Sequence, residues 1–157
     1  MKILVLGIGN TLLSDEGVGI HVLNALGAGA ALPPDVELLD GGTLSFTLAG
    51  PIQDADALIV VDAAQIKSAP GSWQQFEGEQ MDTFLLHNRQ SSVHEVGLTD
   101  LRAIAILAGH WPKRRAMLAI QPQFMDWGEN PTPAVAAAIP AVVHAIRALI
   151  EDWLHEA

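Results

Sequence analysis

Three acidic residues and one histidine are the side chains of this sequence best placed to do chemistry. Glu16 follows the first apolar run, Asp40 closes "VELLD", Asp62 ends "LIVVDA", and His94 stands in "SSVHEVG" just before a helical pattern. Carboxylate oxygens and an imidazole nitrogen form an O/O/N ligand set that suits a divalent transition metal with positions left open for water or substrate. We therefore predict that the imidazole and two or three of the carboxylates converge at one edge as a site for such a metal, with nickel and zinc among the candidates.

Each of these residues also has a purely structural explanation. An acid at a strand end commonly caps a loop or the next helix, and Glu16 in a first helical turn is favoured by the helix dipole. Asp40 precedes Gly41 and Gly42, which make the kind of tight turn that aspartate favours, and His94 fits a solvated loop. Independent caps need not all fall on one edge of a sheet, so their coincidence favours a shared site.

The segments that must position these residues alternate between strand and helix patterns. Buried strands are predicted at 2–7, 36–40, 57–63 and 116–121, with an edge strand within 72–78. Helices are predicted from 14 to 26, within 42–56, at 97–109 and from 132 to about 154. This alternation predicts a single domain over residues 1–157, a three-layer α/β/α sandwich around a mostly parallel, twisted sheet of about five strands. Sites in such folds lie beyond the carboxyl ends of the strands, where Gln121 should also lie.

Local signals set expectations for the helix ends. Ser14 is expected to cap the first helix, and Gly109 to end the helix before the last strand. Pro133 suits the first turn of the last helix. Pro140 lies deep in that helix and predicts a kink or a restart, because proline has no N–H to donate.

The composition excludes several classes of site. The chain has no cysteine, which rules out disulfides, thiolate ligands and cysteine nucleophiles. Its formal net charge is −10, from 18 acids against 8 Lys and Arg, so binding to nucleic acid or to an anionic membrane is not expected. The sequence contains neither GxSxG nor GxxxxGK[ST], and "HEVGL" lacks the second histidine of HExxH. The apolar N-terminal run is too short for a secretory signal or a membrane span, and we expect a cytoplasmic protein.

Five motifs resemble those of the [NiFe]-hydrogenase maturation endopeptidases. "GIGNTLLSDEGVG", "DGGT", "DADALIVVDA", "HEVGL" and "QPQFMDWG" occur in that order and with that family's spacing, over residues 3 to about 150. The resemblance implies a cytosolic protease that trims a C-terminal peptide from the large-subunit precursor of a hydrogenase after nickel insertion. It also implies that nickel arrives with this substrate, and that no organic cofactor is needed.

The resemblance carries residue roles with it. The family's nickel ligands fall on Glu16, Asp62 and His94. Asp40 matches the acid of the family's "DGG" motif, with a role in substrate recognition or water activation, and Gly41 and Gly42 are expected to contact substrate. The metal would polarise the scissile carbonyl or lower the pKa of a water, or it would only position the bond while Asp40 activates water. The residues fit both mechanisms.

Three other functions fit parts of the sequence. The turn "GIGNTL" follows a strand as in a nucleotide-binding module, but Leu12 replaces the third glycine of that fingerprint, and Asp15 and Glu16 oppose phosphate. A metallopeptidase or amidase with its own divalent metal would use the same ligands as the resemblance implies. Peptidyl-tRNA hydrolases also begin with a strand and a G-x-G-N turn, but a net charge of −10 argues against tRNA as a ligand.

Overall fold

The computed structural model describes residues 1–42, 45–87 and 96–156, and only the backbone of 96–99. Strands and helices alternate along the chain: β1 Ile3–Ile8, α1 Val18–Ala28, β2 Val36–Gly42, α2 Ala49–Asp54, β3 Ala57–Ala63, β4 Trp73–Glu77, α3 Glu79–His87, α4 Val96–Ala108, β5 Arg114–Ile120 and α5 Pro133–Glu156. Short 3-10 turns precede α1 and α2, at Ser14–Gly17 and Phe46–Leu48.

The strands form one sheet in the order β2-β1-β3-β5-β4. All neighbours pair in parallel except β4, which runs antiparallel to β5 at the edge. This confirms the predicted mostly parallel sheet and its weaker edge strand. Because β2 and β3 lie on opposite sides of β1, the strand order reverses between β1 and β3. Such a reversal opens a crevice at the carboxyl ends of the two strands.

The two faces of the sheet carry separate apolar clusters. Ile3 and Val5 of β1 pack with side chains of α1 and α5. Leu4 and Leu6 point to the other face, where they pack with side chains of α2, α3 and α4. This alternation follows from the two-residue period of a strand, and it makes the three layers that the sequence predicts. Full burial of each Leu or Ile contributes about 1.5–3 kcal/mol, so the sheet is the stable platform of the site.

One predicted helix cap is wrong, and one helix has no counterpart in the prediction. Ser14 does not cap α1, because its hydroxyl donates to the backbone carbonyl of Asp126 and a complete 3-10 turn separates it from Val18. The sequence pattern does not predict helix α3. Only two of its side chains, Met81 and Leu85, are buried, and they form an apolar stripe too short to indicate a helix. Gly109 does end α4, with the positive φ of +68° that a glycine accepts readily.

The last helix is continuous from Pro133 to Glu156, so the predicted restart at Pro140 does not occur. Pro140 is exposed, and water can hydrate the carbonyl that its missing N–H leaves without a helical donor. Among the described helices, α5 alone is long and apolar enough to cross a membrane by length and composition. The buried side chains of α5 belong to the core cluster shared with α1. The length and composition of α5 are therefore weak evidence that it spans a membrane.

Candidate active site

Glycines allow the 3-10 turn after β1 to lie directly against the strand ends. A Cβ at Gly9, whose φ is +143°, would collide with the carbonyl oxygen of Glu16, and one at Gly19 with the carbonyl oxygens of Ile8 and Val61. No larger residue would permit this approach. The turn is thereby held against β3 as well as β1. Glu16 is buried there, beside the crevice where the strand order reverses.

Asp62 enters the same region from the sheet itself. It is the second-last residue of β3, it pairs with Ala119 of β5, and it is buried. The 3-10 turn that carries Glu16 contacts the strand that carries Asp62. Carboxylates are rarely buried in proteins unless they are paired or bind a cation. Two buried carboxylates from adjacent elements therefore mark this edge of the sheet as the candidate site.

The third predicted ligand, His94, lies outside the described residues. Its place beside Glu16 and Asp62 therefore stays a prediction. Within residues 1–42, 45–87 and 96–156, no group of three or more His, Asp and Glu side chains is arranged to hold a metal. The described part of the chain thus supplies two of the three predicted donors, and a complete O/O/N set depends on the histidine.

Asp40 stands apart from the two buried acids because it is exposed. It pairs with Gly7 across the sheet, and its Oδ1 accepts a hydrogen bond of 2.8 Å from the backbone N–H of Gly42. Gly42 has a φ of +51°, and a Cβ at Gly41 would lie 2.8 Å from a methyl carbon of Leu6. The tight turn expected for the sequence "DGG" is not formed, because residues 40–42 continue β2 and Gly41 is an extra residue between the pairs Gly7–Asp40 and Ile8–Gly42. The hydrogen bond from Gly42 to Asp40 stabilises this β-bulge.

A shallow cleft of about 290 Å³ connects Asp40 to the glycine turn after β1. Its lining residues come from the loop after β1, the start of α1 and the end of β2: Gly9, Asn10, Thr11, Ile20, Asp40 and Gly42. The N–H of Gly9 donates to the carbonyl of Gly42 at 3.0 Å, so the two sides of this cleft are joined through their backbones. A cleft of this size suits an extended peptide better than a bulky cofactor.

Asp15, for which the sequence pattern predicts no structural role, joins the loop before α1 to the loop after β5. Its carboxylate is fully buried and accepts hydrogen bonds from the backbone N–H groups of Gln123, Phe124 and Thr132, at 2.8, 2.9 and 2.6 Å. The Thr132 hydroxyl donates as well, at 2.9 Å to Oδ2. No local pattern identifies such a residue, because its partners lie 108 to 117 residues away in the sequence.

Backbone hydrogen bonds join the same two loops, residues 10–15 and 123–128, which we call the paired loops. The N–H of Ser14 donates to the carbonyl of Gly128 at 2.8 Å, and the N–H of Gly128 donates to that of Leu12 at 2.9 Å. The N–H of Asp15 donates to the carbonyl of Phe124 at 3.0 Å. The residue before Glu16 is therefore fixed by both backbone and side chain, which leaves Glu16 little freedom to move.

Gln121 lies at the predicted edge but acts as a link between loops. Its side-chain oxygen accepts from the N–H of Ile66 at 2.8 Å, and its amide nitrogen donates to the side-chain oxygen of Gln65 at 2.8 Å. These contacts join the segment after β3 to the segment after β5. Gln121 therefore holds the loops on either side of Asp62 and is not itself a candidate ligand.

Charge is distributed unevenly between the two edges of the sheet. The segments 9–17, 40–48 and 121–132, which follow β1, β2 and β5, contain no Lys or Arg. Basic residues collect instead at the amino ends of strands, where Lys2, Arg114 and Arg115 each pair with an acid. Lys67, after β3, is the one basic residue in the loops that follow β1, β2, β3 and β5, so the loops after β1, β2 and β5 favour the approach of a cation.

Comparison with known proteins shows that this chain is similar to hydrogenase maturation proteases. Residues 20–149 match the family model described as hydrogenase maturation protease. The hydrogenase 2 maturation protease of Escherichia coli strain K12 is 37% identical over 154 residues, which cover 97% of this chain and 93% of that protein. The hydrogenase expression/formation protein HupD of Rhodobacter capsulatus is 37% identical over 94% of this chain and 71% of its own length. The solved structure of the hydrogenase maturating endopeptidase HybD from E. coli superposes with a TM-score of 0.86, at 34% identity, over 97% of this chain and 93% of that one.

Proposed function

The chain belongs to the hydrogenase maturation protease family, and from this premise we propose that it removes the C-terminal extension of a [NiFe]-hydrogenase large-subunit precursor after nickel insertion. In this proposal the enzyme recognises nickel that the precursor already holds, and it acts in the cytoplasm. The observation that carries the proposal is the pair of buried carboxylates, Glu16 and Asp62, on adjacent elements at the strand-order reversal. An acidic edge that lacks basic residues on three of its loops suits a substrate that brings a cation.

The donor set agrees with a metal that belongs to the substrate. Glu16, Asp62 and, by resemblance, His94 offer oxygen and nitrogen donors, and the chain has no cysteine to compete for nickel. In this proposal thiolates of the precursor hold the nickel, and the protease adds oxygen and nitrogen donors. Both buried carboxylates are negatively charged when ionised, and they attract a cation that arrives with the precursor. Binding of the nickel-loaded precursor is thus favoured over binding of the nickel-free form.

Burial separates the roles of the acids in the proposed reaction. The buried Glu16 and Asp62 suit nickel coordination, whereas the exposed Asp40 lines a cleft open to water and peptide. We assign to Asp40 the proton from the attacking water. The water oxygen forms a bond to the scissile carbonyl carbon, the C–N bond breaks, and the proton passes to the leaving amine. Nickel coordination by the two buried acids supplies the positioning that brings this bond to Asp40.

The proposal is tested by incubating the purified protein with nickel-loaded and nickel-free precursor and weighing the products by mass spectrometry. We expect cleavage of the nickel-loaded precursor only, with release of one C-terminal peptide. Equal cleavage of both forms would contradict recognition of nickel, and cleavage of neither would contradict the proposed activity. Stoichiometric zinc in freshly purified protein, together with equal cleavage, would favour the alternative of a metallopeptidase with its own metal.

A further inference from the structure

Three large apolar side chains project into solvent from the paired loops. Trp127 is 75% exposed, Leu12 is 53% exposed and Phe124 is 49% exposed. We call these three residues the apolar patch. Its members come from two loops that are remote in sequence but hydrogen-bonded to each other, since Gly128 donates to the carbonyl of Leu12. An isolated exposed leucine needs no explanation, but a group with two aromatic rings beside a candidate site marks an interaction surface.

The apolar patch is held in place before any partner arrives. The backbone N–H of Phe124 donates to the buried carboxylate of Asp15, and the N–H of Trp127 donates to Oδ1 of Asp126 at 2.7 Å. The hydroxyl of Ser14 donates to the carbonyl of Asp126 at 2.8 Å. Loops that are already ordered lose little conformational entropy on binding, which favours their use as a docking surface.

The surroundings of the apolar patch define the charge of its partner. Asp126 and Glu129 lie on the same loop and are exposed, and the segment 121–132 contains no Lys or Arg. Rim charges of one sign select partners of the opposite sign and raise their rate of association. A chain segment that combines apolar side chains with Lys or Arg therefore matches both the patch and its rim.

From these observations we infer that the apolar patch docks the stretch of the large-subunit precursor next to the scissile bond. The partner segment places apolar side chains on Trp127, Leu12 and Phe124 and basic side chains beside Asp126 and Glu129. The inference rests on the proposed function, because it takes the large-subunit precursor as the substrate. The paired loops lead directly into Glu16, so the patch lies beside the candidate site. Docking on this fixed surface delivers the precursor to the site even before its nickel is engaged. The patch therefore contributes mainly to substrate binding and not to the chemical step.

Steady-state cleavage of the nickel-loaded precursor by Trp127→Ser and Leu12→Ser tests this inference. Each substitution should raise KM by about tenfold and leave kcat within about twofold, because loss of binding that is equal in the ground and transition states changes KM alone. Trp127→Phe keeps a large apolar side chain and should return KM towards the wild-type value. Asp126→Asn combined with Glu129→Gln should weaken the dependence of kcat/KM on ionic strength.

Ile106→Ser is the matched control. Ile106 is 70% exposed near the end of α4, which leads to the amino end of β5, on the opposite edge from the paired loops. This control should leave KM unchanged. An unchanged KM in both Trp127→Ser and Leu12→Ser would overturn the inference, as would an equal rise in KM in Ile106→Ser. If the wild-type protein cleaves no precursor, the proposed function itself fails, which is a different result from normal cleavage by the patch variants.

Discussion

At the scale of single residues, burial distinguishes the acids that the sequence groups together. Glu16 and Asp62 are buried on neighbouring elements, whereas Asp40 is exposed and stabilises a bulge at the end of β2 through the N–H of Gly42. Burial of a carboxylate destabilises the folded protein unless a cation or a hydrogen-bond donor compensates its charge, whereas an exposed carboxylate can exchange protons with water. The positions of the acids therefore support ligation by two of them and proton transfer by the third.

Substitution of the proposed ligands separates metal binding from a structural role. Glu16→Gln, Asp62→Asn and His94→Ala should each abolish cleavage of the nickel-loaded precursor while the protein still melts cooperatively. Loss of a structural cap would instead cost about 0.5–2 kcal/mol of stability and leave cleavage intact. Thermal melting and cleavage, measured on the same preparations, check this expectation.

The control for these variants is Asp54→Asn, which changes an exposed acid at the end of α2. It should preserve both melting and cleavage. The metal-site interpretation is wrong if the three ligand variants melt early yet still process the precursor. Asp40→Asn gives a further distinction, because a water activator should lose turnover but still bind nickel-loaded precursor.

The sequence predicts residue roles only where they have a local signature. The two glycines after Asp40 predict a turn, but the strand continues through them with a bulge, whereas Glu16 and Asp62 follow apolar runs that do end at one edge. Asp15 carries no such mark, because its hydrogen-bond partners come from loops more than a hundred residues away. The sequence pattern likewise predicts Ser14 to be a helix cap. Its acceptor in the structure, the carbonyl of Asp126, is equally remote in sequence and leaves no local signal.

At the scale of elements, the site depends on how loops are joined. The loop after β1 is bound to the loop after β5 and to the start of α5 through Asp15 and Thr132. Gln121 makes a second link, from the loop after β5 to the loop after β3. The three loops thus support each other at the carboxyl edge of the sheet, and rigid support of this kind is what a precisely placed ligand set needs.

Asp15→Asn should weaken this support without removing any proposed ligand. An amide presents a donor to backbone N–H groups, so at least one buried donor loses its acceptor, at a cost of about 1–3 kcal/mol. Cleavage should fall together with the free energy of unfolding, and urea unfolding beside precursor cleavage measures both. Thr132→Val should have a smaller effect, because its backbone N–H still donates to Asp15.

Asp54→Asn serves again as the control for Asp15→Asn, because Asp54 is exposed at the end of α2 and takes no part in the paired loops. We expect a change of less than about 0.5 kcal/mol in its unfolding free energy. Equal stability of Asp15→Asn and wild type would show that the hydrogen bonds of Asp15 do not support the loop.

The sequence predicts strands and helices correctly where a single hydrophobic period runs through a long segment. The runs at 57–63 and 36–40 are strands in the structure, and the pattern at 97–109 is the helix Val96–Ala108. The helix Glu79–His87 is not predicted from the sequence, because it buries few side chains, although Gly78 marks the end of the edge strand before it. Its position depends on packing against the sheet and α4, which local periodicity does not encode.

At the scale of the whole molecule, the edge opposite the site is held by ion pairs. The guanidinium of Arg115 in β5 donates to both carboxylate oxygens of Asp82 in α3, and the indole of Trp111 donates to the same carboxylate at 2.8 Å. The hydrogen bonds from Arg115, followed by those from Trp111, hold the pKa of Asp82 below its ordinary value against the opposing effect of burial. This contact fixes α3 to the sheet.

The lowered pKa of Asp82 predicts how stability depends on pH. A carboxyl whose pKa is lower in the folded state stabilises the protein at pH values above its unfolded pKa of about 4, and this gain is lost as pH falls through the folded pKa. Since the Asp82 side chain is 39% exposed, solvent screening limits the gain to about 1 kcal/mol or less. Asp82→Asn should therefore be less stable than wild type at pH 7 and equally stable at acid pH.

Urea unfolding at pH 7 and at about pH 3 checks this expectation. A double-mutant cycle with Arg115→Met provides the control, because removal of the guanidinium should remove most of the effect of Asp82→Asn. A difference between wild type and Asp82→Asn that stays constant with pH would contradict the assigned cause.

The hydrogen bonds of Asp15 also set an order of events during protein synthesis. Asp15, which accepts these hydrogen bonds, is synthesised early. Its last donor, Thr132, lies 117 residues further along the chain. A nascent chain that ends before this residue can form β1 and the glycine turn but cannot fix the turn that carries Glu16. Ribosome-bound intermediates are therefore expected to lack a formed site until the start of α5 has emerged. Premature termination anywhere before residue 132 should yield no active fragment.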